Sequence, residues 1–96
     1  MAAYLIVDVE ITDPERYAEY IRLAPASIAR HGGRYLVRGG PTRRLEGDWT
    51  PKRLVILEFP SIEAGQAWWA CDDYAAAKAL RQSAAITQMV LAEGVP

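Results

Sequence analysis

Cysteine and histidine each occur once in this sequence, no long hydrophobic run is present, and positive charge is not in excess. Cys71 alone cannot form an intrachain disulfide, and together with His31 it lacks the ligand spacing of a zinc or iron site. No stretch approaches the roughly 18 to 20 apolar residues of a membrane span. A net charge of -1 provides no field that would attract nucleic acid or an anionic membrane. These absences predict a cytoplasmic protein with no metal, no membrane partner and no nucleic-acid partner.

What the chain does contain is the composition of one soluble domain. It has 96 residues, of which 51% are apolar and 24% are charged, which is close to the average for globular proteins. Gly32-Gly33 and Gly39-Gly40 are isolated pairs suited to turns and do not form a phosphate loop or a dinucleotide fingerprint. We therefore expect a single domain over residues 1–96 and no cofactor.

Four segments have the composition of β-strands, with β-branched and aromatic residues bounded by turn residues. They cover residues 3–11, 34–38, 52–59 and 86–92. A long polar connection separates the second strand from the third, and such loops are often functional or mobile.

Two helical regions lie between these strands, and each is predicted to be broken. Asp13 caps the first, with Pro14 at its first position, and Pro25 predicts an interruption. Ser61 caps the second, and Asp72-Asp73 predicts a break within it. The order is strand, broken helix, strand, strand, broken helix, strand. It predicts an α+β fold of the ferredoxin-like βαββαβ kind, with both helical regions on one face of a four-stranded antiparallel sheet.

The first strand is apolar on both of its faces, because Leu5 and Val7 alternate with Tyr4 and Ile6. The third strand has the same character. A solvated sheet face should carry polar residues at every second position, so the face away from the helices needs a cover. The simplest cover is a second copy of the chain, and the sequence therefore predicts a homodimer through the open sheet face.

Several segments, in a specific order, are similar to those of one bacterial family. They are Asp13–Tyr20, Ala24-Pro25, His31–Gly40, Leu57–Ser61, Ala67-Trp68, Tyr74 and Lys78–Arg81. Through them the chain resembles the family known as domain of unknown function 1330 over nearly its whole length. The resemblance implies the dimeric α+β barrel, a ferredoxin-like dimer whose relatives include small monooxygenases and muconolactone isomerase-like proteins. The family has no established activity, so the resemblance implies no catalytic residues.

His31 and Arg38 are the first candidate site residues. His31 ends the first helical region, where the helix dipole stabilises an imidazolium, and it could act as a general base or simply cap the helix. Arg38 stands on a strand and could hold an anionic molecule in a bidentate manner. The alternative is that the basic run between Arg30 and Arg53 is a solvated edge and loop.

Carboxylates and aromatic residues complete the candidates. Asp8 and Glu58 interrupt apolar strands, so they either pair with Arg38 or form the floor of a pocket. Consecutive tryptophans cannot both enter one core, so Trp68 is expected inside and Trp69 in the core, at a pocket rim or at the dimer contact. Trp49, in the long loop, could act as a lid or pack across the dimer.

The sequence thus predicts a pocket between sheet and helices that binds a small organic acid or an aromatic metabolite. Its expected wall is His31, Arg38, Trp68 and Tyr74, with Asp8 and Glu58 nearby. Two other functions stay open: a cofactor-free monooxygenase or isomerase of the dimeric α+β barrel type, and a structural or interaction module without a ligand.

Overall fold

The strand order of the sheet is the feature that defines this fold. A computed structural model describes all of residues 1–96. Its elements are β1 (Ala3–Ile11), α1 (Pro14–Arg30), β2 (Arg34–Arg38), β3 (Leu54–Phe59), α2 (Ile62–Ala70), α3 (Asp72–Ala84) and β4 (Ala85–Glu93). The strands lie in the order β2-β3-β1-β4 and every neighbouring pair is antiparallel. The predicted ferredoxin-like α+β fold is confirmed.

Both helical regions begin at the predicted caps. Asp13 accepts a hydrogen bond from the backbone amide of Arg16 at 3.2 Å, and Pro14 is the first helical residue. Ser61 accepts one from the amide of Ala64 at 3.1 Å. Each cap satisfies an amide that the first helical turn leaves without a partner.

Helix α1 is continuous, and the break predicted at Pro25 is wrong. The helix runs from Pro14 to Arg30 with Pro25 inside it. Pro25 has no amide hydrogen, so the carbonyl of Ile21 four residues earlier receives no bond from the helix. Arg38 reaches this carbonyl from β2 with Nη2 at 3.5 Å. A side chain of the sheet thus offers this carbonyl a donor, at the long end of hydrogen-bond distance.

The second helical region is divided, as predicted, and the division lies at Cys71. Its backbone is extended, with φ of -77° and ψ of 154°, and it separates α2 from α3. Helix α3 then packs against α1, where Arg16 bonds to Ser83 and Arg30 pairs with Asp73. None of the helices is long and apolar enough to cross a membrane.

The core lies between the helices and one face of the sheet. Alternate residues of β1, among them Leu5, Val7 and Val9, point to that side and are buried. Trp68 is the largest buried side chain, at 1% exposure, and its ring centroid lies 4.0 Å from that of Tyr74. The prediction that Trp68 belongs to the core is confirmed.

The other face of the sheet carries an apolar row that crosses all four strands. The register places Val37, Ile56, Ile6 and Val90 side by side on β2, β3, β1 and β4. Val90 is 64% exposed. The two-sided apolar pattern of the strands therefore leaves an open hydrophobic face, as predicted.

Candidate functional site

A small cavity between α1 and the sheet, here called the inner cavity, is the first feature of the candidate site. It encloses about 30 Å³, which is room for about one or two water molecules. Its polar lining consists of Arg38, Arg53 and Arg81 together with Tyr17, Tyr20 and Tyr35. Apolar residues of β1, α1 and β3 complete the wall, with Trp68 and Met89, and no carboxylate or histidine takes part. The inner cavity is therefore largely apolar, and its charged groups are all positive.

Arg81 is the most unusual of these residues, because it is a buried cation without a counterion. It lies on α3 and is only 5% exposed. Its Nε donates to the hydroxyl of Tyr74 at 3.2 Å, and none of the ion pairs in the protein includes it. Its terminal nitrogens have no protein partner, yet they are not sealed from solvent. Burial of a guanidinium is unfavourable unless an anion or several acceptors compensate it.

Two tyrosines extend the polar contact of Arg81 into the inner cavity. The hydroxyl oxygens of Tyr20 and Tyr74 lie 2.7 Å apart. Because Tyr74 accepts a hydrogen bond from Arg81, its own proton is available to Tyr20. Burial, followed by the proximity of Tyr74, raises the pKa of Tyr20 far above its ordinary value of 10.0. Tyr20 therefore remains a protonated hydrogen-bond donor at neutral pH.

Arg38 and Arg53 stand at the other side of the inner cavity, and each rests against a tyrosine ring. The guanidinium carbon of Arg38 is 4.3 Å from the ring centroid of Tyr35, and that of Arg53 is 5.7 Å from Tyr17. The Nε of Arg53 is buried without a hydrogen-bond partner. Gly39, at φ of 75°, makes room for this arginine, since a Cβ there would collide with its guanidinium. Neither arginine pairs with a carboxylate.

A larger groove, here called the β4 groove, opens between α2, α3 and β4. Its volume is about 580 Å³, within the usual range of roughly 300 to 1,000 Å³ for ligand sites. Its lining comprises Gly65, Gln66, Trp69 and Ala70 of α2, Arg81 and Gln82 of α3, Leu5 of β1, and Thr87, Met89 and Leu91 of β4. The β4 groove and the inner cavity share Leu5, Arg81 and Met89. Arg81 therefore lies at the junction of the two spaces.

Three of the predicted site residues lie at or beside the inner cavity. Arg38 and Trp68 line it, and Tyr74 stands behind Trp68 with its hydroxyl between Tyr20 and Arg81. The indole nitrogen of Trp68 donates to Ser27 at 3.0 Å, so Trp68 contributes its apolar ring to the wall.

His31 does not reach this cavity. It ends α1, and its Nδ1 donates to the backbone carbonyl of Ser27 at 3.0 Å. The alternative reading of His31, as a hydrogen-bonded residue at a helix end, describes this position. The expectation that it forms part of the wall is corrected.

The prediction that Asp8 and Glu58 lie near the pocket is also corrected, because both residues lie on the face of the sheet away from the helices. Glu58 accepts a hydrogen bond from Arg34 at 2.7 Å, which lowers its pKa. Neither carboxylate pairs with Arg38, whose side chain lies on the helical side of the sheet. Side chains on one strand alternate between the faces, so Asp8 cannot share a side with its buried neighbours Val7 and Val9.

Asp8 instead anchors the long loop between β2 and β3. One carboxylate oxygen accepts from the indole nitrogen of Trp49 at 2.9 Å, and the other accepts from the backbone amide of Lys52 at 2.9 Å. The Trp49 hydrogen bond is the main cause of the lowered pKa of Asp8. The loop therefore folds onto the open sheet face, where Trp49 lines a depression together with Ile6 and Val90.

Sequence reasoning missed Arg81, Arg53 and Tyr20 as site residues. A signal for Arg81 was present, because Tyr74, Ala77, Arg81 and Ala84 recur at helical spacing and all four are buried. An arginine on the apolar stripe of a helix indicates either a partner or a ligand. Arg53 gave no comparable signal, since it stands among other basic residues.

Solved structures share this architecture. RPA0582 of Rhodopseudomonas palustris, a protein of unknown function, is similar with a TM-score of 0.78 at 22% identity, and the match covers 99% of this chain and 83% of that one. A dimeric ferredoxin-like protein of unknown function from Jannaschia sp. CCS1 has a TM-score of 0.72 at 17% identity, covering 98% of this chain and 100% of that one. SnoaB of Streptomyces nogalater, a cofactor-independent oxygenase, has a TM-score of 0.66 at 10% identity, covering 99% and 94%.

These neighbours and the sheet order define a ferredoxin-like α+β protein. The sequence model of the domain of unknown function DUF1330 matches residues 2–95, and the chain belongs to that family. A comparison with curated protein sequences finds no significant match.

Proposed function

We propose that this protein is a homodimer that binds a small organic acid between its sheet and its helices, with the carboxylate of the ligand at Arg81. The observation that carries this proposal is the burial of Arg81 without a protein carboxylate. A carboxylate or another oxyanion would supply the missing charge and accept from the free terminal nitrogens of the guanidinium.

The sizes of the two spaces support a division of the ligand between them. The inner cavity, at about 30 Å³, admits only a charged end group. The β4 groove, at about 580 Å³, has room for the remainder. Tyr20, Arg38 and Arg53 would add hydrogen-bond donors and positive charge around the anion, while Trp68 and Tyr74 form the wall behind it.

The homodimer is supported by the open sheet face. Its apolar row is only partly covered in a single chain, with Val90 64% exposed, and contiguous apolar patches usually mark an interface. The Jannaschia protein, which shares the fold, is dimeric. A second copy facing the first through this row would cover both patches with one symmetric contact. The single Cys71, which is unpaired, fits a protein of the reducing cytoplasm.

A cofactor-independent oxygenase is the second candidate function, and the similarity to SnoaB favours it. The residues around the inner cavity give this candidate less support. A proton taken from a substrate needs a positioned base, and no histidine or carboxylate lines the inner cavity. An oxygen electrode can test this candidate with a phenolic acid that binds the protein. Oxygen uptake would favour the oxygenase function.

Isothermal titration calorimetry with benzoate and benzamide tests the proposed binding. The two compounds share ring and size, and only benzoate carries a charge. We expect benzoate to bind and benzamide to bind at least tenfold more weakly, because a charge-assisted hydrogen bond contributes about 1.5 to 3 kcal/mol. Arg38→Ala should weaken benzoate binding, whereas Arg43→Ala, in the exposed loop, should leave it unchanged. Equal affinity for the two compounds would contradict the proposal.

A further inference from the structure

We infer that the ligand of the β4 groove is a flat aromatic acid, whose ring packs against Trp69 while its carboxylate reaches Arg81. This inference rests on the proposed function and names its substrate class. Trp69 would then determine specificity, and the protein would select aromatic acids over saturated acids of the same size and charge.

Trp69 is the residue that shapes the outer part of the groove. It follows Trp68 directly, but it points away from the core and is 44% exposed. The side chain is nevertheless held in place by Lys78. The ammonium of Lys78 lies 3.8 Å from the ring centroid of Trp69 and donates to the Trp69 carbonyl at 2.9 Å. Trp69 itself lines the groove, whereas Lys78 does not.

The sheet contributes an apolar surface to the groove that Trp69 also lines. It consists of Leu5 on β1 and Met89 and Leu91 on β4, which are neighbours on the helical face of the sheet. Gly65 of α2 lies close to this surface, because a Cβ at that position would lie 3.0 Å from the methyl groups of Leu91. The groove thus offers a ring both apolar sheet residues and an indole to pack against, and aromatic pairs gain energy beyond the area that they bury.

The charge of the groove determines the sign of the occupant. Its polar lining consists of Gln66, Gln82 and Thr87, which are neutral, and of Arg81, which is buried and unpaired. No acidic residue lines the groove, and the ammonium of Lys78 lies just outside it. The groove therefore complements a molecule that is anionic at the end near Arg81 and uncharged elsewhere.

Calorimetric titration with benzoate and cyclohexanecarboxylate tests this inference. The two acids carry the same charge on rings of the same number of carbons, and only benzoate is flat. In the wild-type protein we expect benzoate to bind roughly three- to tenfold more tightly. Trp69→Leu should abolish that preference while retaining binding of both acids. Trp49→Leu serves as the matched control, since Trp49 lies on the opposite face of the sheet, and it should retain the preference.

The possible outcomes separate this inference from the proposed function. If the wild-type protein binds both acids equally, or if Trp69→Leu keeps the preference, the aromatic selectivity is overturned while acid binding stands. If neither acid binds, or if neutral benzamide binds as well as benzoate, both proposals fail. The benzamide comparison needs no substitution at the buried Arg81, so a folding defect cannot obscure it.

Discussion

The hydroxyl oxygens of Tyr20 and Tyr74 lie 2.7 Å apart and join the middle of α1 to the beginning of α3. Tyr74 also accepts from Arg81 at 3.2 Å, which is the only hydrogen bond that the protein gives this guanidinium. One phenol group therefore links two helices and a buried cation.

Removal of the Tyr74 hydroxyl should destabilise the folded protein. Tyr74→Phe leaves Arg81 buried with no protein hydrogen bond, and we expect the free energy of unfolding to fall by about 1 to 3 kcal/mol. Tyr20→Phe removes one hydrogen bond and leaves the contact with Arg81 intact, so a loss of about 0.5 to 1.5 kcal/mol is expected. Urea denaturation of both variants measures the difference. A Tyr20→Phe variant that loses more stability than Tyr74→Phe would contradict this view.

The raised pKa of Tyr20 predicts a loss of stability in alkaline solution. The unfolded chain releases the proton near the ordinary pKa of 10.0, whereas the folded protein keeps it. The unfolded state then binds fewer protons, so rising pH favours unfolding. The contribution of neutral Tyr20 is complete below pH 10 and declines above it, by up to about 1.4 kcal/mol per pH unit. Urea midpoints from pH 9 to 11 should fall more steeply in the wild type than in Tyr20→Phe. Parallel curves would show that the pKa of Tyr20 is not raised in the folded protein.

Asp8 should control the mobility of the long loop. Asp8→Ala removes the acceptor of both Trp49 and Lys52, so we expect the loop to open more often. Trypsin, which cuts after the exposed Arg43 and Arg44, should then cleave the loop severalfold faster. Glu10→Ala is the matched control, because it removes an exposed carboxylate from the same face of β1. Equal cleavage rates in the two variants would show that Asp8 does not anchor the loop.

The apolar row on the open sheet face predicts how the dimer can be dissociated. Val90→Arg places a charge where the proposed partner packs, and at 64% exposure the substitution should be tolerated by a single chain. Sedimentation velocity should show a dimer of the 10.6 kDa chain for the wild type and a monomer for the variant. Leu23→Arg, on the exposed side of α1, should remain dimeric. A monomeric wild-type protein would overturn the proposed assembly.

The strands were predictable because alternation and turn residues act locally. The first two predicted strands, residues 3–11 and 34–38, coincide with β1 and β2. The break at Pro25 was predicted from the helix alone, in which a proline leaves a carbonyl without a donor. The donor that compensates it, Arg38, comes from a strand that is remote in sequence. No local pattern contains that information.

The candidate site was predictable only in part, for a related reason. Alternation separates the two faces of a strand but does not say which face meets the helices, so Asp8 and Glu58 were grouped with Arg38 across the sheet. Arg38 and Trp68 were assigned to the wall of a pocket from the elements on which they stand, and both side chains line the inner cavity. Arg81 was overlooked because a basic residue on an alanine-rich helix is usually solvated. Only its helical spacing relative to Tyr74 and Ala84 indicates that it lies on the buried side of α3.

Because Arg81 is buried without a protein counterion, ligand binding is also coupled to folding. A folded chain that retains an uncompensated guanidinium is less stable than one whose cation is neutralised, while the unfolded chain hydrates that group freely. Any anion that binds Arg81 in the native state alone must raise the melting temperature by mass action, because the stabilisation grows with the logarithm of one plus the ratio of free anion concentration to its dissociation constant. The melting temperature of the protein therefore reports anion binding without a label or an activity assay. A thermal-shift survey of carboxylic acids would rank candidate ligands by the increase in melting temperature that each one produces.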